Sequence, residues 1–161
     1  LFRVRMEGAS LWRARLEGAG LWQARLQGAD LWQALMEGAN FMQAGMEGAD
    51  LGLARLEGAS LSRARLEGAD LRQARMEGAN LYEASFVGAS LRHMDYSGVG
   101  FSRYQITSTF GDASVILPNG VTPQSPDWPA HWPKFELNEF DTEWRKWQAS
   151  PDTYTPPDPP N

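Results

Sequence analysis

An apolar residue recurs at every fifth position from Leu1 to Ile106, and a small residue, usually Ala, lies two positions before it. A period of five matches neither an α-helix nor a plain β-strand, whose side chains repeat every 3.6 and every two residues. The pattern therefore predicts a chain that turns a corner every five residues and always sends the same two side chains inward. The central apolar positions are Leu1, Met6, Leu11, Leu16, Leu21, Leu26, Leu31, Met36, Phe41, Met46, Leu51, Leu56, Leu61, Leu66, Leu71, Met76, Leu81, Phe86, Leu91, Tyr96, Phe101 and Ile106.

Several of these units follow the motif Ala-(Asp/Asn)-Leu-X-X almost literally. Examples are Ala29-Asp30-Leu31-Trp32-Gln33, Ala49-Asp50-Leu51-Gly52-Leu53, Ala69-Asp70-Leu71-Arg72-Gln73 and Ala79-Asn80-Leu81-Tyr82-Glu83. Residues 1–106 thus resemble the pentapeptide-repeat family. The resemblance implies an all-β fold, a right-handed quadrilateral β-helix solenoid with four pentads in each square coil. Such a fold is a scaffold, so the function depends on what its surface presents.

Composition divides the chain into two parts near residue 106. Fourteen of the 16 Gly precede that point, and all ten Pro follow it. Residues 1–106, the predicted β-helix of about five coils, carry 12 Arg against 12 Asp and Glu, whereas residues 107–161 carry three basic and eight acidic residues. The repeats begin at Leu1 without any sequence that would cover an open coil, so we expect the natural protein to continue upstream, with a further domain there.

Large apolar residues occupy positions that should face solvent on this β-helix. The residue after each central apolar position points outward, and residues twenty apart should stack. This places Phe2, Trp22 and Met42 in one column and Trp12 and Trp32 in another on the opposite side. Contiguous exposed apolar residues tend to mark contacts. These five residues are candidate protein-interaction residues, although they could instead pack against upstream sequence or be scattered surface residues without a role.

The tail of residues 107–161 is rich in Trp and Pro and predicts a cap on the β-helix. A short helix is expected near residues 139–148, with Asn138 as its N-cap, and the final residues 149–161 should be extended or disordered. Phe140, Trp144 and Trp147 share one face of this helix and are the candidate C-terminal cap. A peptide-recognition or dimerising surface is the alternative role for them. The expected docking residues of the last coil are Tyr96, Phe101, Tyr104 and Ile106.

Residues that could carry catalysis or hold a metal are scarce. The chain has no Cys and two His, and it contains no nucleophilic triad, phosphate-binding loop or zinc motif. We therefore predict no enzyme activity, no catalytic or metal residues and no cofactor. The sequence has no apolar stretch long enough to span a membrane. It does not determine the cellular compartment, and a cytoplasmic location is the default expectation.

Two functions from different classes follow from the resemblance. The first is a structural or protein-interaction scaffold that binds a protein partner or associates with itself. The alternative is DNA mimicry, since pentapeptide-repeat proteins that protect DNA gyrase, a topoisomerase, resemble an acidic B-DNA rod. Mimicry requires a strongly acidic surface, and residues 1–106 carry equal numbers of acidic and basic side chains. Direct nucleic-acid binding is not expected, because the array has no basic stripe. The scaffold is therefore favoured.

Overall fold

The computed structural model describes residues 2–159, so the first predicted apolar centre, Leu1, and the terminal Pro160 and Asn161 lie outside the described residues. Parallel bridges join residues twenty apart in sequence, and the chain turns every five residues, so each coil has four sides. Each side is hydrogen-bonded to the next coil: the N–H of Leu31 donates to the carbonyl of Asp50 at 2.8 Å, and the N–H of Asp50 donates to that of Ala29 at 3.0 Å. The helices are α1 (Arg103–Thr107), a 3-10 turn (Pro118–Gly120) and α2 (Phe140–Ala149).

The interior of the solenoid is filled by the two repeated inward positions. Every central Leu, Met or Phe from Leu21 to Met76 is buried, and so is every inward Ala from Ala24 to Ala74. Ala is used at the second position because its methyl group leaves room for the larger central side chains. In the first coil the equivalent central side chains, Met6, Leu11 and Leu16, are only partly buried and pack against this core from its end.

Two kinds of corner alternate around each coil, and both require a left-handed backbone. At every second corner the residue with the left-handed conformation is Gly, as at Gly58 (φ 66°). At the intervening corners the left-handed position is held by other residues, among them Arg13 (φ 56°), Gln23 (φ 55°) and Leu53 (φ 57°). Residues with a Cβ adopt this region at an energetic cost. The fold therefore places a residue with a side chain in the left-handed region at half of its corners.

The coil register continues beyond residue 106, the predicted end of the array. Bridges join Ser90 to Phe110 and Asp95 to Ile116, so part of a sixth coil is present. Helix α1 replaces one side of that coil. It begins because the Ser102 side chain caps its N-terminus and the Gln105 side chain returns to the Ser102 N–H. Once these residues are helical, their backbone cannot pair with the coil below.

The open end of the main core is covered by the segment between α1 and α2. Val115, Leu117, Trp128 and Trp132 join the same cluster as Phe101. The indole N–H of Trp132 donates to the carbonyl of Thr109 at 2.8 Å. Its ring lies on Gly111, where an added Cβ would come within 2.7 Å of it. The two Trp of the Pro-rich segment are therefore the residues that close the core.

Helix α2 packs on a side of the solenoid instead of its end, contrary to the expectation for Phe140, Trp144 and Trp147. Phe140 and Trp147 form a second cluster with Phe110, and Trp144 packs at its margin. Tyr96 and Phe101 belong to the main core, and Tyr104 is exposed. The reason is that Phe110 stands at the ladder position that holds outward-facing Asp or Ser in the coils below. The helix begins at Phe140, and Asn138 does not cap it.

Candidate functional site

One corner of the solenoid carries the most exposed apolar column, which we call the Phe2 column and define as Phe2, Trp22 and Met42. Their side chains are 55%, 41% and 37% exposed, respectively. The rings of Phe2 and Trp22 stack with centroids 4.8 Å apart. The indole N–H of Trp22 donates to the Gln43 side chain at 3.3 Å. The column is a continuous apolar strip that runs along the solenoid axis.

A second column, which we call the Trp12 column, consists of Trp12 and Trp32. Their rings are nearly parallel, with centroids 6.4 Å apart, and the Arg13 guanidinium lies 4.3 Å from the Trp12 ring centroid. Trp12 is 49% exposed, but Trp32 is half-buried. The Trp32 indole packs over the next residue of the column, Gly52. This is possible because Gly has no side chain: a Cβ added there would come within 2.8 Å of the indole. The protein therefore covers part of this column itself.

The five candidate interaction residues form two separate surfaces. Trp12 and Trp22 are ten residues apart, which is half of a twenty-residue coil, so they stand on diagonally opposite corners. Tyr82, which is 61% exposed, stands on the same corner as the Phe2 column. The twenty-residue register places it there, but the predicted interaction residues do not include it because the column turns polar beyond Met42. Tyr104, at 74% exposed, lies on α1 and has no such signal.

The charged side chains between these corners neutralise one another. From the second coil onward, the Arg residues before central apolar residues reach back to a Glu in the preceding coil, whereas Arg5 and Arg15 pair with the Glu two residues later. The distances are 2.7 Å for Arg25–Glu7, 2.8 Å for Arg55–Glu37 and 2.8 Å for Arg75–Glu57. Hydrogen bonds to backbone N–H and the nearby Arg25 lower the pKa of Glu7. The two sides that carry these pairs therefore present a balanced lattice of charge and no acidic strip.

The sequence and the fold both match known proteins. The family model described as pentapeptide repeats matches residues 23–58 and 59–93, with eight copies. A pentapeptide repeat protein of Nostoc PCC 7120, alr5209, is 30% identical over 71% of this chain and 85% of its own, with a TM-score of 0.33. This chain belongs to the pentapeptide-repeat family. No curated protein matches it.

Two further solved pentapeptide-repeat proteins are similar to this one. HetL, described as involved in heterocyst differentiation regulation in the cyanobacterium Nostoc sp. strain PCC 7120, is 28% identical over 74% of this chain, with a TM-score of 0.55. Rfr23 from the cyanobacterium Cyanothece 51142 is 33% identical over 56% of this chain, with a TM-score of 0.49. The present chain spans 64% of the HetL chain and 58% of the Rfr23 chain.

The side of the pentapeptide-repeat array that faces α2 carries a ladder of carboxylates, Asp30, Asp50 and Asp70. Each accepts the N–H two residues later, as in the 2.9 Å bond from Gly52 to Asp50. Burial, with the charges of Asp70 and Asp30 on either side, raises the pKa of Asp50. Arg72 neutralises the negative charge at the end of the ladder, because it pairs with Asp70 and also lies 2.8 Å from Asp141 of α2. The ladder is therefore part of the joint between the solenoid and the tail.

The aromatic residues of α2 are engaged with the pentapeptide-repeat array. The indole N–H of Trp144 donates to the Gly88 carbonyl at 2.8 Å, and the Gln148 side chain donates to the same carbonyl at 2.9 Å. Trp147 stacks on Phe110 with centroids 5.5 Å apart. These contacts make the face of Phe140, Trp144 and Trp147 an internal interface of the chain.

Residues 2–159 contain no group of three His, Cys, Asp or Glu placed to hold a metal ion. No helix among them combines the length and the apolar composition that a membrane crossing requires.

Proposed function

We propose that this protein is a non-enzymatic interaction scaffold that binds a protein partner, or a second copy of itself, through the aromatic corners of its β-helix. The observation that carries the proposal is the Phe2 column, three large apolar side chains in register on one corner. Solenoids use their extended surfaces for binding, and contiguous exposed apolar patches mark interaction sites.

The Phe2 column is the stronger of the two candidate surfaces. Burial of apolar area contributes roughly 25 cal/mol per Å², and aromatic residues are frequent centres of binding energy. Trp32 has already lost much of its exposed area to the next coil, whereas Phe2 and Trp22 keep about half of theirs in contact with solvent. We therefore assign the main contact to the Phe2 column and a secondary one to Trp12.

DNA mimicry by a gyrase-interacting protein is the less favoured alternative. A mimic must offer a field like that of the phosphate backbone. In this array Arg25, Arg55 and Arg75 each lie within ion-pair distance of a Glu side chain one coil away. The purified chain is therefore expected neither to inhibit gyrase nor to bind duplex DNA at physiological salt, and potent inhibition would favour mimicry.

Sedimentation analysis of three proteins tests the scaffold proposal. The wild type should associate with itself as concentration rises, or should form a stable complex with one partner. The triple variant Phe2→Ser, Trp22→Ser, Met42→Ser should lose that association and keep its circular dichroism. A matched control, Tyr104→Ser with Ile116→Ser, removes two exposed apolar side chains elsewhere and should associate like the wild type. Equal association by all three proteins would refute the role of the Phe2 column.

A further inference from the structure

The corner that carries the Phe2 column continues at the same twenty-residue spacing through two further residues, Ser62 and Tyr82. We call the whole edge the Phe2 corner and define it as Phe2, Trp22, Met42, Ser62 and Tyr82. Tyr82 is 61% exposed, whereas Ser62 is buried at 9%. The small Ser62 side chain therefore forms a notch between two projecting side chains, Met42 and Tyr82.

The projections and the notch of the Phe2 corner fit those of a second copy that runs in the opposite direction. A two-fold axis at the level of Met42 brings the two Met42 side chains together. The same axis places Phe2 of each copy beside Tyr82 of the other. It also places Trp22 of each copy over the notch at Ser62. Such a contact is isologous, because both copies use the same residues, and it closes at two copies.

A column of mixed charge lies beside the Phe2 corner and consists of the left-handed residues Arg3, Gln23, Gln43, Arg63 and Glu83. The same two-fold axis places Arg3 of each copy opposite Glu83 of the other, and Gln23 opposite Arg63. Within each copy the Arg63 side chain holds Glu83 at 2.7 Å. The Nε atom of Arg3 donates to Gln23 at 2.7 Å, which uses one of the five N–H donors of its guanidinium group. Opposite charges therefore face each other at both ends of the paired edge.

Other placements of the second copy bring like charges together. In a parallel pair, Arg3, Arg63 and Glu83 would each face the same residue of the other copy. An antiparallel pair whose axis lies between Trp22 and Met42 would place Arg3 opposite Arg63. A shift of the axis in the other direction would leave the first aromatic residue of the corner uncovered. Because like charges that face each other are destabilising, the axis at Met42 is the favoured register.

The other flank of the Phe2 corner carries no charge. The residues two positions before those of the corner are Gly20, Asn40, Ser60 and Asn80. On the diagonal corner, the equivalent positions beside the Trp12 column hold the acidic ladder of Asp30, Asp50 and Asp70. An antiparallel pair through the diagonal corner would bring two such ladders together, and like charges that face each other are destabilising. Pairing with a second copy therefore suits the Phe2 corner and not the diagonal one.

The apolar area of the Phe2 corner is that of a weak interface. Its four large side chains, Phe2, Trp22, Met42 and Tyr82, are 37–61% exposed. An aromatic side chain contributes about 150–250 Å² when it is buried completely, so a pair of copies would bury roughly 800 Å² of this corner before flanking residues are included. Stable interfaces bury about 1,200–2,000 Å². The expected pair is therefore a reversible dimer that forms at high protein concentration.

We propose that the partner of the Phe2 corner is a second copy of this chain, packed antiparallel about a two-fold axis at Met42. The inference rests on the proposed function, because it names the occupant and the geometry of the same surface. Two features select this occupant. The notch at Ser62 receives Trp22 of the other copy, and the charges of Arg3 and Glu83 complement each other only in this register.

Sedimentation of charge-reversed variants tests this assignment at low ionic strength, where screening by salt is small. Arg3→Glu places two like-charge contacts in the dimer, one at each end, and Glu83→Arg does the same with the opposite sign. Each variant alone should self-associate about tenfold more weakly than the wild type. An equimolar mixture of the two variants restores opposite charges at both ends. The mixture should therefore form a mixed dimer at least as tight as the wild-type dimer.

The matched control is Arg13→Glu on the diagonal corner. Arg13 has the same kind of surroundings as Arg3, because its Nε atom donates to Gln33 at 2.6 Å and its guanidinium lies over an aromatic ring. Its reversal changes the net charge by the same amount as Arg3→Glu, but it should self-associate like the wild type. All three substitutions are at exposed side chains, and matching circular dichroism spectra would show that the folds are intact.

Four results would overturn the assignment of a second copy. They are a wild type that stays monomeric at every concentration, unchanged self-association of Arg3→Glu, a mixture no tighter than its two components, and equal weakening by Arg13→Glu. Any of these results, together with loss of binding in the triple Ser variant described above, would leave the Phe2 column as the contact for a different protein. Unchanged association of the triple variant would instead refute the proposed function itself.

Discussion

The Nε atom of Arg92 lies 3.4 Å from the carboxylate of Asp112, and this pair joins the last regular coil to the tail. Asp112 is fully buried and accepts N–H groups from Ser114 at 2.9 Å and from Leu137 at 2.8 Å. Arg92 also donates to the Leu137 carbonyl and lies over the Phe140 ring. A buried carboxylate needs both hydrogen bonds and a countercharge, and this one organises the start of α2.

Removal of the Arg92 charge should destabilise the protein strongly. Arg92→Met keeps most of the side-chain volume but leaves Asp112 as a buried charge without its partner. The expected loss in the free energy of unfolding is about 3–5 kcal/mol, measured by denaturant unfolding at neutral pH. The matched control is Arg103→Met, because Arg103 forms an exposed pair with Asp127 at 3.2 Å. Its loss should be below about 1 kcal/mol, and equal losses in the two variants would contradict the assignment.

The two kinds of corner should respond oppositely to exchange between Gly and larger residues. Leu53 holds a left-handed φ of 57°, so Leu53→Gly relieves strain and should raise the free energy of unfolding by a few tenths to about 1 kcal/mol. Gly58 has a φ of 66°, and nothing lies within 4 Å of an added Cβ. Gly58→Ala should therefore lower stability by about 1 kcal/mol through backbone strain alone. Thermal unfolding of both variants measures whether each substitution raises or lowers stability. Changes in the same direction would refute the explanation.

The regular part of this fold could be predicted from the sequence because every inward position repeats. Leu31 and Ala29 are buried, whereas Trp12 and Trp22 are exposed, as a period of five requires. The sequence also predicts that Trp12 and Trp22 face opposite directions. The strain at corners such as Leu53 is not visible in the sequence, because there the backbone geometry is imposed by the coils above and below.

The end of the array could not be predicted, because it depends on single long-range contacts. Phe110 continues the ladder of Ser90 although a helix intervenes, and no local pattern signals that return. Asp112 looks like a turn residue in the sequence, but its partners, Arg92 and Leu137, are 20 and 25 residues away. The position of α2 follows from Phe110, whose outward direction is fixed only once the extra ladder position is known.

The carboxylate at Asp50 should reduce stability at neutral pH. Burial and the charges of Asp70 and Asp30 raise its pKa above 3.8, so protonation stabilises the folded state as the pH falls through that raised pKa. Asp50→Asn keeps an oxygen for the Gly52 N–H, an arrangement that Asn40 already uses on the opposite side. At pH 7 the free energy of unfolding of the variant should exceed that of the wild type by about 0.5 kcal/mol. This difference should shrink toward pH 4.

The control for this prediction is Asp95→Asn. Asp95 is exposed, and hydrogen bonds from Ser97 lower its pKa. Its charged form is therefore favoured in the folded state, so its replacement should bring no gain at pH 7. Denaturant unfolding at the two pH values compares the variants. A gain at Asp95 that equals the gain at Asp50 would show that the effect is general surface charge and not the Asp ladder.

The contact between the Pro-rich segment and α2 should weaken below neutral pH through His131. Its ring stacks on Trp147 with centroids 4.9 Å apart, and its Nε2 atom lies 2.7 Å from the Thr109 carbonyl. Burial lowers the pKa of His131 from its ordinary value of 6.5. Between the lowered pKa and pH 6.5 the unfolded chain therefore binds more protons than the folded chain. The contribution of neutral His131 to the free energy of unfolding is fully present above pH 6.5 and decreases as the pH falls below it.

Titration of His131 alone should change the free energy of unfolding by at most about 1.4 kcal/mol per pH unit. Denaturant unfolding between pH 7.5 and pH 5.5 measures this slope. His131→Gln retains an N–H for the Thr109 carbonyl and cannot titrate, so it should lose this part of the slope. Tyr104→Ser, which removes an exposed ring from α1, should retain the wild-type pH dependence. If His131→Gln retained the full wild-type slope, the pH dependence of the cap would have to come from other groups.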